Sequence, residues 1–373
     1  MIKRYEIYNF KNHANTKLEF GNLTILTGIN GMGKSSVLQS MLVLRESFMR
    51  NSQMPVLTLD GESFELGGSA SLVNGNMAVG QQDMLRLVIN EDYNHIEFVY
   101  NYPKDDKDEL EADESLRIPN ANIMGSISLF NDDFQYLSAF RTGPRLFYGS
   151  NTSVVDKHHQ ISQKMGMGEF AVNFLNKFGA ENIAIEALRY PGSQSLGLYQ
   201  QTEYWLSEIS NGISFKINQL EKQLEIRFGY EQAGKTTVYH SALNTGFGIS
   251  YILSIIVAVL SAKPGALILI ENPEAHIHPS GQAALMRLIT LAAGNGVQII
   301  LETHSDHIVN GALVTIKEHL LEKNLLSVYF FDRDDHFNAY PIKLSVGESG
   351  RLQNVPKGFF DQMKMDLEVL YEL

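Results

Sequence analysis

Cysteine is absent from all 373 residues. That excludes a disulfide framework, a thiolate zinc site and a cysteine nucleophile, and it agrees with a reducing compartment such as the cytoplasm. Basic residues are in deficit: 30 Lys and Arg stand against 42 Asp and Glu, a formal charge of −12. Bulk positive charge therefore cannot carry nucleic-acid binding, and any DNA contact must be a local basic groove. Long apolar runs are missing as well. The longest, Tyr251–Ala262, falls short of the about 20 residues needed to cross a bilayer, so a buried helix and no membrane contact are expected. The opening MIKRYEIYNFKNH alternates apolar and polar residues and lacks the apolar core of a signal peptide. No internal repeat and no heptad run long enough for a coiled-coil arm is present.

What is present suits a globular chain, with 44% hydrophobic and 19% charged residues. Residues 2–10 and 17–27 have the alternation and β-branching of strands, and the second runs into a glycine loop and then an apolar-periodic segment, the order strand, loop, helix. Residues 52–149 break into short alternating segments, an antiparallel β lobe in which KDDKDELEADES is a solvated loop. Residues 150–239 carry helical spacing in MGEFAVNFLNKF and QTEYWLSEISNGI, with the single Trp205 as a core anchor. From 240 onward a buried helix (248–262), a strand (266–270), a helix (279–293), a strand (297–303) and a helix from Asp306 alternate. The expected fold is α/β, a mainly parallel sheet flanked by helices. It would be a single head whose core is 1–50 plus 240–373, with the β lobe and the helical lobe inserted.

The strongest chemical signal is Gly28-Ile29-Asn30-Gly31-Met32-Gly33-Lys34-Ser35, followed by Ser36. It matches G-x-x-x-x-G-K-[ST] between a strand and a helix, as that motif requires. The glycines let backbone N–H groups turn inward, Lys34 neutralises phosphate charge and Ser35 can ligate Mg²⁺. A magnesium-phosphate site also needs a carboxylate at the end of a neighbouring buried strand, and ALILI ends in Glu271-Asn272-Pro273-Glu274-Ala275-His276-Ile277-His278. Glu271 is thus the candidate metal carboxylate; a zinc set of Glu274, His276 and His278 is the competing arrangement. Arg141 and Arg145 in FRTGPRLFYG are candidate phosphate cations held in a rigid turn, or alternatively members of ordinary salt bridges.

GINGMGKSS, ENPEAHIHP and LETHSDHI, each fed by a strand, together resemble the ABC-type P-loop ATPase head of ABC transporters, SMC and recombination-repair proteins and the OLD (overcoming lysogenization defect) group. The similarity is greatest to a short, armless OLD-like branch found beside effector genes in bacterial antiviral defence, whose C-terminal region resembles VPKGFFDQMKMDLEVL and whose middle resembles YLSAFRTGPR. The resemblance implies ATP and Mg²⁺ as ligands, with Asn30, Gly31, Met32, Gly33, Lys34, Ser35 and Ser36 on the phosphates and His304 as the histidine that senses the γ-phosphate. The plain alternative is that His304 only caps the next helix with Thr303, Ser305 or Asp306, and the two roles are compatible. The ABC signature is matched only in degenerate form by Leu243-Asn244-Thr245-Gly246-Phe247-Gly248. The resemblance gives Asn244, Thr245, Gly246 and Gly248 a role on a nucleotide, while a helix cap is the plainer alternative.

One departure bears on catalysis. Where the family places its water-polarising glutamate, the chain has Asn272, an amide that cannot take a proton at neutral pH. Either Glu274 takes over, with His304 or His276 assisting, or turnover is slow and ATP acts as a switch. The resemblance further implies a head-to-tail dimer bridged by ATP. The helical segment is too short for a long arm, and only about 65 residues follow His307, too few for an appended metal-dependent nuclease. Chemistry on a target is therefore expected of a separately encoded effector, a nuclease. A nucleotide-dependent DNA- or protein-binding scaffold, as in DNA repair, is the alternative.

Overall fold

A computed structural model describes residues 1–76, 83–91, 94–221, 223–232, 235–236 and 238–371. β1 (Arg4–Phe10) and β2 (His13–Glu19) form a hairpin, and β3 (Leu23–Gly28) leads into α1 (Lys34–Arg50). β4 (Val56–Thr58), β5 (Met84–Asn90), β6 (His95–Asn101) and β7 (Glu109–Ala112) follow, then α2 (Ala121–Ser126), β8 (Phe134–Leu137) and β9 (Tyr148–Gly149). α3 (Ala171–Phe178) and α4 (Leu198–Ile209) precede a long hairpin of β10 (Ile213–Leu220) and β11 (Gln223–Gln232), flanked by the short β12 (Lys235–Thr236) and β13 (His240–Ser241). The last part alternates α5 (Phe247–Ser261), β14 (Leu267–Glu271), α6 (Pro279–Gly294), β15 (Gln298–Glu302) and α7 (Asp306–Lys317), then β16 (Leu326–Arg333), β17 (Ala339–Val346), β18 (Leu352–Gln353) and α8 (Gln362–Leu370).

The organising element is a seven-stranded sheet ordered β18-β17-β16-β3-β15-β14-β8. β16, β3, β15, β14 and β8 are mutually parallel, and β17 and β18 close one edge antiparallel. Such a sheet needs apolar cover on both faces, which the side-chain alternation supplies. Ile268 and Ile270 enter one core with α5 and α6, and Leu267 and Leu269 enter the other with α1. α5 is buried from Gly248 to Leu260, and among the described residues no helix is long and apolar enough to cross a membrane. Trp205 is 1% exposed and donates its indole N–H to the Leu188 carbonyl at 2.9 Å.

The α/β class expected from the sequence is what the chain adopts, but strand pairings join segments across the divisions at residues 50, 149 and 239. β1 and β2 pair into a six-stranded antiparallel sheet, β2-β1-β5-β6-β7-β4. β8, inside the stretch read as a β lobe, is the edge strand of the central sheet. The stretch 17–27, read as one strand, is the end of β2, a turn and β3. The stretch 150–239, read as helical, also holds the β10–β11 hairpin.

Candidate nucleotide site

β3, β15 and β14 all end at the same sheet edge, where a parallel sheet gathers ligand-binding loops. Gly28, Gly31 and Gly33 take φ of 132°, 75° and 100°, a left-handed region open to glycine. A Cβ on Gly28 would also lie 2.3 Å from the Phe331 carbonyl of the neighbouring strand. The loop so formed walls a cavity of about 390 Å³, whose lining includes Asn30, Gly31, Gly33, Lys34, Ser35 and Ser36. Met32 does not line it and packs against the core beneath.

Lys34 is 3% exposed, and its Nζ donates to the carbonyls of Gly28 at 2.9 Å and Ile29 at 2.8 Å. The ammonium thus folds onto its own loop. Burial lowers its pKa while the charge of Glu302 opposes this. Ser35 Oγ donates to Glu302 Oε1 at 2.9 Å, so the carboxylate bonded to Ser35 is one the sequence reading did not single out. Its signal was available: Glu302 ends the apolar strand β15, directly beside Glu271 in parallel register. Burial, with Glu271 adding and Ser35 and Lys34 opposing, pushes Glu302 up to about 7. Its Oε2 is buried and has no hydrogen-bond partner among the described residues, a position with capacity for a cation or a proton.

Glu271 lines the cavity, but its oxygens accept from the Tyr136 hydroxyl and the Ala139 N–H, each at 3.0 Å. Asn272 also lines the cavity. Its φ is 43°, a left-handed conformation that asparagine tolerates better than glutamate. The backbone thus gives a local reason for an amide there. Glu274 is not among the lining residues; it accepts from Thr303 Oγ1 and from the His304 N–H, both at 2.8 Å. His304 lines the cavity, its Nε2 is 3.9 Å from Glu302 Oε1, and burial followed by the charge of Lys34 lowers its pKa, which favours the neutral ring. The cap on α7 is made by Ser305, which accepts from the His307 N–H.

Two candidate cations lie elsewhere. Arg141 is 3% exposed and donates to the carbonyls of Ser138, Glu271 and Asn272 at 2.6–2.8 Å while its guanidinium sits over Tyr251. It clamps β8 to the end of β14 and has no face toward the cavity, which corrects its reading as a phosphate cation. Arg145 is exposed and lines no part of the cavity. Besides Glu302, the unforeseen lining residues include Lys11, Asn12, Ala139 and Arg333.

The Asn244–Gly248 segment opens α5 away from this cavity. Thr245 Oγ1 donates to the Ala242 carbonyl at 2.8 Å, and Gly246 precedes the first turn. Gly248 presses on the loop after β14, where an added Cβ would lie 2.1 Å from the His276 carbonyl. Gly246 and Gly248 line a different cavity, of about 460 Å³, with His276 and His278. The His276 ring packs on Phe247 and Tyr251, and His278 caps α6. Among the described residues no three His, Asp or Glu side chains gather as a metal-binding group.

Residues 23–310 match the family described as "AAA domain, putative AbiEii toxin, Type IV TA system", and residues 321–370 match a family described as a protein of unknown function, DUF3696. Over 94 residues the chain is 31% identical to the DNA replication and repair protein RecF of Clostridioides difficile, covering 24% of each chain. Over 71 residues it is 32% identical to the DNA double-strand break repair Rad50 ATPase of Archaeoglobus fulgidus, covering 18% of this chain and 8% of that one. The matches thus span about a quarter or less of those relatives. Among solved structures, an Smc head bound to the C-winged helix domain of ScpA superposes with a TM-score of 0.54 at 14% identity, covering 92% of this chain and 98% of that one. An Smc head with an extended coiled coil, bound to the C-terminal domain of ScpA derived from Pyrococcus furiosus, gives 0.53 at 12% identity, covering 100% and 98%. The fold is therefore that of an SMC-type head, and the chain belongs to the AAA domain family that matches residues 23–310.

Proposed function

We propose that the chain binds ATP with Mg²⁺ in the Lys34–Glu302 cavity, closes head to tail on a second copy around that ATP, and so controls a separately encoded effector, a nuclease, in antiviral defence. The observation that carries the ATP site is the cluster of Lys34, Ser35, Glu302 and His304 at one sheet edge. Ser35 with Glu302 and Glu271 would hold the ion, and Glu302 Oε2, with no hydrogen-bond partner among the described residues, fits that use. Bound there, Mg²⁺ would neutralise developing phosphate charge. Lys34 would exchange its two loop carbonyls for phosphate oxygens, and neutral His304 can donate one N–H toward the γ-phosphate. Support for the dimer is that Gly246 and Gly248 line none of the Lys34 cavity, so a nucleotide held there would meet a signature segment only from another copy. The effector role is carried over from the OLD-like resemblance.

Slow turnover fits the same site. Asn272 cannot take a proton, and both oxygens of Glu274 already accept from Thr303 and His304, which makes Glu274 a weaker base. A scaffold with negligible hydrolysis, working in DNA repair, is the second reading, favoured by the same two residues. Phosphate release by the purified chain separates the two. Gly246→Asp tests the dimer: a carboxylate at the arriving phosphate should block ATP-dependent association while leaving binding to the chain's own loop nearly intact. Sedimentation with and without a non-hydrolysable ATP analogue reads this, and normal association by the variant would reduce the segment to a helix cap.

A further inference from the structure

The matched segment of unknown function, residues 321–370, reaches the phosphate loop. β16 runs parallel to β3 with Phe331 abreast of Gly28, so the residues that follow leave the sheet beside the loop. Arg333 is the last of them, paired with Ala339 across the hairpin. The hairpin is fastened to two segments outside the loop and packs on the loop itself at Gly33. The Ala339 N–H donates to the Asn12 carbonyl at 2.7 Å, and Asn74 Nδ2 donates to Asn338 Oδ1 at 3.1 Å. A Cβ on Gly33 would come within 3.0 Å of Ala339 Cβ.

The acids of this hairpin do not hold the arginine side chain. Asp334 accepts from the N–H groups of His336 and Asn338 and from Asn338 Nδ2, which builds the turn. Asp332 accepts from the backbone N–H of Arg333. Among the described residues the guanidinium makes one hydrogen bond, a long one of 3.4 Å to the Gly31 carbonyl, which Asn12 Nδ2 also approaches at 3.4 Å. The other cations of the cavity are engaged, Lys34 by two loop carbonyls and Lys11 by Gln39 Oε1 at 2.7 Å. Arg333 is exposed and lines the cavity. In a chain of net charge −12, a triphosphate has to be met by local cations, and a guanidinium fork without a carboxylate partner suits phosphate oxygens.

We propose that Arg333 is a nucleotide-phosphate contact delivered by the β16–β17 hairpin, so that the segment of unknown function completes the binding site of the ATPase core. This rests on the nucleotide site proposed above. The test is calorimetric titration of the full chain with Mg-ATP, comparing wild type, Arg333→Ala, Arg333→Lys and Lys34→Ala. Arg333→Ala should weaken binding about tenfold or more, because charge-assisted hydrogen bonds are lost. Arg333→Lys should lose less, keeping charge but not the fork. Thermal unfolding without nucleotide should be unchanged, since the side chain is exposed. Affinity of Arg333→Ala within about twofold of wild type, with Lys34→Ala clearly weakened, would overturn the Arg333 assignment and spare the nucleotide site. Equal losses in the Ala and Lys variants would place the effect in the hairpin's shape and overturn it too. Unchanged binding by Lys34→Ala would remove the nucleotide site itself, and the inference with it.

Discussion

Acid should weaken this protein through one buried histidine beneath the phosphate loop. His13 is 0% exposed, its Nε2 lies 3.0 Å from the Gly33 carbonyl and its Nδ1 2.8 Å from Thr16 Oγ1. A carbonyl only accepts, so Nε2 carries the proton and Nδ1 accepts from the threonine hydroxyl; a second proton has no ready place. Burial, with Lys11 adding and the Gly33 bond opposing, pushes the pKa from 6.5 down to about 4. The folded value lies below the unfolded one. His13 therefore contributes stability that is whole above pH 6.5 and is lost as pH falls toward 4, about 3 kcal/mol across the window at 1.36 kcal/mol per pH unit. Carboxylates titrate at the lower end, so the clean interval is pH 6.5 to 5, where about 2 kcal/mol should go. Urea unfolding of wild type and His13→Gln at half-unit steps reads this, since a glutamine amide can still donate toward Gly33 but does not titrate. The wild-type curve should fall more steeply by that amount. Parallel curves would show that His13 is not held neutral, and the tautomer assigned at Gly33 would go with it.

Two further outcomes concern the roles proposed for Glu302 and Glu274 and the packing of α5. Glu302→Gln should raise the magnesium concentration needed for ATP binding, because the carboxylate bonded to Ser35 is gone, whereas Glu274→Gln should leave that requirement alone and cut phosphate release by about 10²-fold or more; the reverse pattern would exchange the two roles. Gly248→Ala puts a methyl 2.1 Å from the His276 carbonyl and should cost about 1–3 kcal/mol in denaturant unfolding through overpacking; an unchanged midpoint would mean α5 does not press on that loop.

Local signals were legible wherever one segment carried the whole message. Gly28–Ser35 announces its loop because the glycines, the lysine and the flanking strand and helix are contiguous, and ALILI and VQIILE are short buried strands bounded by breakers. What depends on alignment between distant strands was not. Glu302 meets Ser35 only because β15 pairs with both β3 and β14, and Arg333 reaches the loop only through the register of Phe331 on Gly28. Arg141 misled for a related reason. FRTGPR has the composition of an exposed turn, yet the guanidinium turns inward to collect carbonyls at the ends of two strands. The β10–β11 hairpin carries its own signal, since Ile213, Phe215, Leu224, Ile226 and Phe228 alternate with period two and are buried, while the helical spacing just before it ends at Ile209.

Everything proposed here depends on a triphosphate binding against Lys34, and equilibrium titration of wild type and Lys34→Ala with a fluorescent ATP analogue in the presence of Mg²⁺ tests that most directly. Removing the ammonium leaves the phosphates facing a glycine loop with only backbone dipoles, so affinity should fall about a hundredfold while the circular dichroism spectrum stays that of the wild type. Unchanged affinity in a folded Lys34→Ala variant would contradict it.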